Sequence, residues 1–234
     1  MSKMTKDELA HGSVSSLLDI CLRTSLRYLE SSQLPKNENI FLPEDVCEAL
    51  ICKKLKTGSC DDDFIATFFA DVHTSRMTKA HLSCATITDA GVEMISRHFL
   101  REVDVSKCVT LSERSIQSLL KCKDSLISLN LSYCRQINAF RGLEQFTKLK
   151  NLDVSRTFID QREFEWLSTL VDLRRLNVSG TEIRSLEPIR SMPLLTTLDL
   201  SNCRSVESIE PLEATKGYDL FLMISRGCSY VQHC

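Results

Sequence analysis

One short pattern returns at nearly even intervals from the middle of the chain onward, and no other feature restricts the fold as much. Leu100-Arg-Glu-Val103-Asp-Val105-Ser-Lys-Cys108 is followed by Leu126-Ile-Ser-Leu129-Asn-Leu131-Ser-Tyr-Cys134 and Leu149-Lys-Asn-Leu152-Asp-Val154-Ser-Arg-Thr157. Then come Leu173-Arg-Arg-Leu176-Asn-Val178-Ser-Gly-Thr181 and Leu195-Thr-Thr-Leu198-Asp-Leu200-Ser-Asn-Cys203. A degenerate copy, Met77-Thr-Lys-Ala80-His-Leu82-Ser, precedes them. The starts at 77, 100, 126, 149, 173 and 195 lie 23, 26, 23, 24 and 22 residues apart. A fixed period of this size marks stacked units, none of which can bury its apolar face alone.

The copies carry the leucine-rich-repeat pattern, at a spacing inside its range. Alternate residues of an extended strand face opposite sides, so the apolar-x-apolar centre sends both apolar side chains into one core. Ser106, Ser132, Ser155, Ser179 and Ser201 then help turn the chain, and Cys108, Cys134, Thr157, Thr181 and Cys203 can bond neighbouring backbone in a tight stack. Between strands, Ser112–Lys121 (Ile116, Leu119, Leu120) and Arg162–Leu170 (Phe164, Trp166, Leu167, Leu170) space their apolar residues as helices do. The sequence predicts an α/β leucine-rich-repeat solenoid of short parallel strands and convex helices over 77–212. A cap is expected over 61–76, where Asp61-Asp62-Asp63 favours a helix start and Phe64, Phe68 and Phe69 can cover the first strand. Residues 213–234 show no further repeat.

Solenoids of this kind bind partners on the concave strand face. The outward candidates are Arg101, Asp104, Asn130, Asp153, Arg174, Asn177 and Asp199. The Asn/Asp row among them recurs once per copy and reads either as a hydrogen-bonding ladder or as a solvated face.

Catalysis finds little support. The five His fall in termini, connections and the first copy, no Cys-x-x-Cys occurs, and Gly-x-Ser-x-Gly, Walker and GxGxxG patterns are absent. Neither a cofactor nor a metal site is expected. With 29 basic and 31 acidic residues in mixed order, the formal charge is −2, which gives nucleic acid or an anionic membrane no concentrated basic patch. The polar N-terminus and 11 cysteines, an odd number, point to a reduced intracellular protein, cytoplasmic or nuclear.

Before the repeats, Val14, Leu17, Leu18, Cys21, Leu22, Leu26 and Leu29 form one helical stripe. A second helix is expected to start near Pro43, with Val46, Ala49, Leu50 and Leu55 on its apolar side. Ser16-Leu17-Leu18-Asp19-Ile20-Cys21 resembles the box through which substrate receptors bind Elongin C: a small residue, Leu, three residues, Cys. Ile40-Phe41-Leu42-Pro43-Glu44-Asp45-Val46 is similar to the cullin-2 box, apolar-Pro-x-x-apolar. The two together look like a VHL box over 13–60. A VHL box followed by this repeat type resembles the Zyg-eleven/Zer-one family of substrate receptors of cullin-2 ubiquitin ligases.

The likeness covers about residues 13–203. It implies a non-catalytic adaptor with Elongin B/C and cullin-2 as partners and an unknown protein substrate. Ser16, Leu17 and Cys21 would meet Elongin C, and Leu42, Pro43 and Val46 the cullin. The first box expects an aliphatic residue four after Cys21, where this chain has Ser25 with Leu26 beside it. Family members continue into an armadillo-like domain, which the 31 residues after Cys203 are too few to build, so the resemblance implies a short form. The alternative is a leucine-rich-repeat scaffold without ligase association, its Leu17 and Cys21 packing the first helix onto the repeats.

Overall fold

The structure, a computed structural model, describes residues 42–70, 77–213 and 221–223. Strands of only three residues suffice because each is hydrogen-bonded to the copies beside it. β1 (Lys79–His81), β2 (Glu102–Asp104), β3 (Ser128–Asn130), β4 (Asn151–Asp153), β5 (Arg175–Asn177), β6 (Thr197–Asp199) and β7 (Phe221–Met223) form one parallel sheet in chain order. Their central residues stand in register: Ala80, Val103, Leu129, Leu152, Leu176, Leu198 and Leu222. The first six are buried and Leu222 packs against the same core. Truncating one of these leucines to Ala leaves a cavity and costs about 2–5 kcal/mol.

β7 departs from the expected tail without a repeat at 213–234. It pairs with β6 through Thr197–Phe221, Leu198–Leu222 and Asp199–Met223. Leu222 therefore occupies the position that Leu198 holds one copy earlier.

Opposite the strands lie the helices and short turns. α1 (Glu44–Lys56) and α2 (Asp62–Phe69) cover the start of the stack; α3 (Asp89–Ile95), α4 (Glu113–Leu119) and α5 (Gln161–Trp166) follow β1, β2 and β4, and α6 (Glu210–Glu213) follows β6. Both convex helices read from the sequence are present, α4 and α5 each running on into a 3-10 turn (Leu120–Cys122, Leu167–Thr169), whereas the stripe from Val14 to Leu29 lies outside the described residues. Elsewhere the connection is 3-10 only, at Leu143–Gln145 and Glu187–Ser191. Gly142, left-handed at φ 108°, precedes the former, and Pro188, which has no N–H to donate, opens the latter.

The core-facing side of α1 is broader than the expected one and is centred one residue further on. Cys47, Leu50 and Ile51 are buried, whereas Val46, Ala49 and Leu55 are only partly so. Apolar residues occupy both sides of this helix, and periodicity alone could not decide between stripes one residue apart. Glu44 fixes α1 to the sheet by accepting the backbone N–H of Thr78 at 3.2 Å and the Thr78 hydroxyl. In α2, Asp61 caps the helix by accepting the Phe64 N–H at 2.9 Å, and Phe64 and Phe69 pack edge to face with centroids 5.6 Å apart.

Candidate functional site

Three surfaces carry the residues singled out above. Of the N-terminal boxes, Ser16, Leu17 and Cys21 lie outside the described residues. Leu42 and Val46 are half-buried against the core, and Pro43 is exposed immediately before α1. The Cys47 thiol donates to the Leu42 carbonyl at 3.6 Å, tying this corner together.

On the strand face, Arg101 and Arg174 are exposed just before β2 and β5. The Asn/Asp row stands at the third residue of β2 to β6, and its geometry is local. The Oδ1 atoms of Asp104, Asn130, Asp153, Asn177 and Asp199 accept the backbone N–H of the serine two residues on, at 2.8–3.0 Å. These are Asx turns, which bend the chain out of each strand. A lateral ladder step exists between Asn177 Nδ2 and Asp153 Oδ2, 3.0 Å apart.

The third surface, unforeseen in the sequence, follows the loops that leave the strands. The residue after each turn serine has a positive φ: Cys84, Lys107, Tyr133, Arg156, Gly180 and Asn202, between 57° and 67°. This conformation aims the N–H of Cys84, Lys107, Tyr133, Arg156 and Gly180 at the serine carbonyl of the next copy, Lys107 to Ser132 and Tyr133 to Ser155 among them, at 2.8 and 3.0 Å. The ladder thus continues beyond the strands and sets the side chains along an outer rim. The signal was present as a residue register, but it mixes Cys, Lys, Tyr, Arg, Gly and Asn and so shows no consensus.

The next residue in each loop turns inward. Cys108, Cys134 and Cys203 donate their thiol hydrogens to Leu82, Val105 and Val178 carbonyls of the preceding copy, at 3.2, 3.1 and 3.1 Å. Thr157 and Thr181 bond instead to Val154 and Val178, the former within its own copy and the latter likewise, both at 2.6 Å. Burial pushes the Cys108 and Cys134 thiols up to about 12, and burial with the nearby Glu44 and Asp45 does the same at Cys47. Such thiols stay protonated at neutral pH and make poor nucleophiles. Cys84, by contrast, is exposed rather than packed, as is Cys52. Among the described residues no group of three His, Cys, Asp or Glu is placed to hold a metal, and no helix is long and apolar enough to cross a membrane.

A family model described as leucine-rich repeats (two copies) matches residues 171–214. The mouse (Mus musculus) protein zer-1 homolog is 29% identical over 205 residues, which is 81% of this chain and 26% of that protein. Its human counterpart is 31% identical over 128 residues, 51% of this chain and 17% of the relative. Over its repeats the chain is thus similar to the zer-1 homologs. It spans about a quarter of the length of the mouse relative, as the 26% coverage states. Among solved structures, the Listeria monocytogenes internalin InlF is similar, with a TM-score of 0.52 at 19% identity, over 65% of this chain and 46% of that one. That likeness is one of fold, a leucine-rich-repeat solenoid.

Proposed function

We propose that this chain is a non-catalytic substrate-recognition or adaptor subunit of a cullin-2–Elongin B/C ubiquitin ligase, acting inside the cell. The observation that carries the reading is the order of parts: a Leu17…Cys21 box, a Leu42-Pro43…Val46 box, then leucine-rich repeats similar to those of the zer-1 homologs. Leu17 and Cys21 act as a helix-in-groove anchor for Elongin C. Pro43 and the outer faces of Leu42 and Val46 meet the cullin, and the solenoid presents a surface to a protein substrate. Ubiquitin transfer falls to the partner subunits.

Capture of Elongin C by the full chain, compared with its Leu17→Ala/Cys21→Ala variant, tests this reading. Truncating a buried interface Leu costs about 2–4 kcal/mol, enough to lose capture. Substituting Leu42 and Pro43 by Ala should spare Elongin C and weaken cullin-2 association. Capture that is absent in the parent, or unchanged in the first variant, sinks the proposal. Ser25, where the box expects an aliphatic residue, favours a second reading, a protein-interaction scaffold without ligase association, and a parent that captures no Elongin C selects it.

A further inference from the structure

Stacking aligns the loops that leave the strands into two adjacent rows of side chains. Lys107, Tyr133, Arg156, Gly180 and Asn202 form one row; two residues further on, Val109, Arg135, Phe158, Glu182 and Arg204 form the other. Over the six loops from Ser83–Ile87 to Ser201–Ser205 the charges are Lys107, Arg135, Arg156 and Arg204 against Glu182 alone. Apolar surface is interleaved with them: Val109 and Phe158 are each 61% exposed and Tyr133 39%. Lys107 Nζ and Arg135 Cζ each lie 5.9 Å from the Tyr133 ring centroid, so this ring serves two cations. Among the described residues, none of Lys107, Arg135 or Arg156 has a carboxylate within 4.0 Å.

Gly180 interrupts the first row. Without a side chain there, the Arg156 stem lies over the glycine, whose added Cβ would stand 2.6 Å from Arg156 Cδ. The gap is a cavity of about 490 Å³ walled by Arg156 and Arg204, with Asn202, Ser205 and Glu182 on its lining. Two planar guanidinium forks, an amide and a hydroxyl around a notch suit a carboxylate.

We propose that this rim docks an acidic segment of a partner protein with interspersed apolar residues, extended along the solenoid axis, one carboxylate seated in the Gly180 notch. Strands about 4.8 Å apart make five copies span about 19 Å, the reach of roughly six extended residues. Cations in four copies attract the acidic residues, Val109 and Phe158 receive the apolar ones, and at the notch the two guanidinium groups of Arg156 and Arg204 outweigh the single Glu182 carboxylate on its lining. A protein segment is favoured over single-stranded nucleic acid, which would stack on the same aromatics, because Glu182 interrupts the row and the whole chain is slightly acidic, with a pI near 6.2. The proposal deepens the reading of the solenoid as a protein-binding surface and is independent of Elongin docking.

Phage-displayed random dodecapeptides selected on the immobilised full chain test it, with fluorescence anisotropy of the synthesised winners. Enrichment of acidic peptides carrying apolar residues is expected. Their affinity should fall about tenfold or more in Arg156→Glu/Arg204→Glu, and also in Gly180→Asn, whose side chain displaces the Arg156 stem from the notch while tolerating a left-handed backbone. Arg162→Glu, on α5, should leave it unchanged, as should Leu17→Ala/Cys21→Ala, which separates this proposal from ligase docking. No enrichment, enrichment without acidic residues, affinity unmoved by both rim variants, or oligo-dT that binds more tightly than any peptide and is lost with the same reversals would each overturn it.

Discussion

Asp89, in the first turn of α3, accepts the backbone N–H of Ser112 at 2.9 Å, and Ser112 is the N-cap of the helix in the following copy. The same carboxylate accepts the hydroxyls of Ser112 and Ser115. Equivalent side-chain staples join other copies. Asp62 accepts the N–H of Thr88, the N-cap of α3, at 2.8 Å; Glu163 accepts Phe140 N–H at 2.7 Å; Gln161 Oε1 accepts the N–H of Arg184 and Ser185 at 2.8 and 2.9 Å. One side of the stack is thus held by backbone ladders and the other by side chains that close the neighbouring helix or loop.

Asp89→Asn should therefore destabilise the protein by about 1–2 kcal/mol at neutral pH, since charge-assisted bonds are worth more than neutral ones and this site is partly exposed. Burial of the carboxyl opposes its ionisation, but the bonds from Ser112 and Ser115 outweigh it and hold the group below its ordinary value of 3.8. A depressed folded value contributes stability that is present above the unfolded value and lost as pH falls through the folded one. Urea midpoints of parent and variant should differ by a constant amount above about pH 5 and converge below pH 4. A gap that persists unchanged in acid would contradict the assignment.

The strands and their inward residues were legible because each depends on a period-2 pattern repeated in register, from Leu100-x-x-Val103-x-Val105 to Leu195-x-x-Leu198-x-Leu200. β7 escaped that reading because Asp219 stands where the earlier copies have Leu195 or Leu173, and the apolar run Leu220-Phe221-Leu222-Met223-Ile224 hides the alternation. Leu222-Met223-Ile224-Ser225 nonetheless matches Leu198-Asp199-Leu200-Ser201 position for position. The rim was hidden for a different reason. Its register is set by a backbone conformation, not by side-chain type, so Lys107, Tyr133 and Arg156 share a position without sharing a chemistry. The staples at Asp89 and Glu163 join residues 23 apart whose partners are backbone N–H groups, which leave no trace in composition.

The thiols should separate sharply by reactivity. Cys52 and Cys84 are exposed, whereas Cys47, Cys60, Cys108, Cys122, Cys134 and Cys203 are buried. Peptide-mapped iodoacetamide labelling of the native protein should mark Cys52 and Cys84 quickly and the other six only after unfolding. At Cys60, Cys108 and Cys134 burial raises the folded value to about 12, against about 9 unfolded. A raised value gives stability that is complete below pH 9 and lost as pH rises toward 12. The urea midpoint should accordingly fall above pH 9, and labelling of Cys108 in the native state at pH 8 would contradict the packing described.

Left-handed backbone should make Gly180 and Lys107 respond in opposite directions. Gly180→Ala places a Cβ at φ 67° and against the Arg156 stem, costing about 1–2 kcal/mol. Lys107→Gly, at φ 61°, relieves a similar strain but frees the unfolded chain, leaving a net gain of roughly 0–1 kcal/mol. Chemical denaturation of the two variants checks the signs, and a Lys107→Gly loss above about 1 kcal/mol would show that the side chain over Tyr133 matters more than the backbone.

Whether the Asn/Asp row serves folding or binding is decided by coupling. Asp153→Ala and Asn177→Ala each remove an Asx turn, to Ser155 and Ser179, at about 1 kcal/mol apiece. They also share the Asp153 Oδ2–Asn177 Nδ2 bond, so the double variant should deviate from additivity by about 0.5–1 kcal/mol. Asp199→Ala removes only the turn to Ser201 from a strand two positions away, and its effect should add to that of Asp153→Ala. If these residues are committed to the turns, alanine there lowers the urea midpoint and leaves partner affinity unchanged per folded molecule. Binding lost at full stability would instead place the partner on the strand face, with Arg101 and Arg174 flanking it.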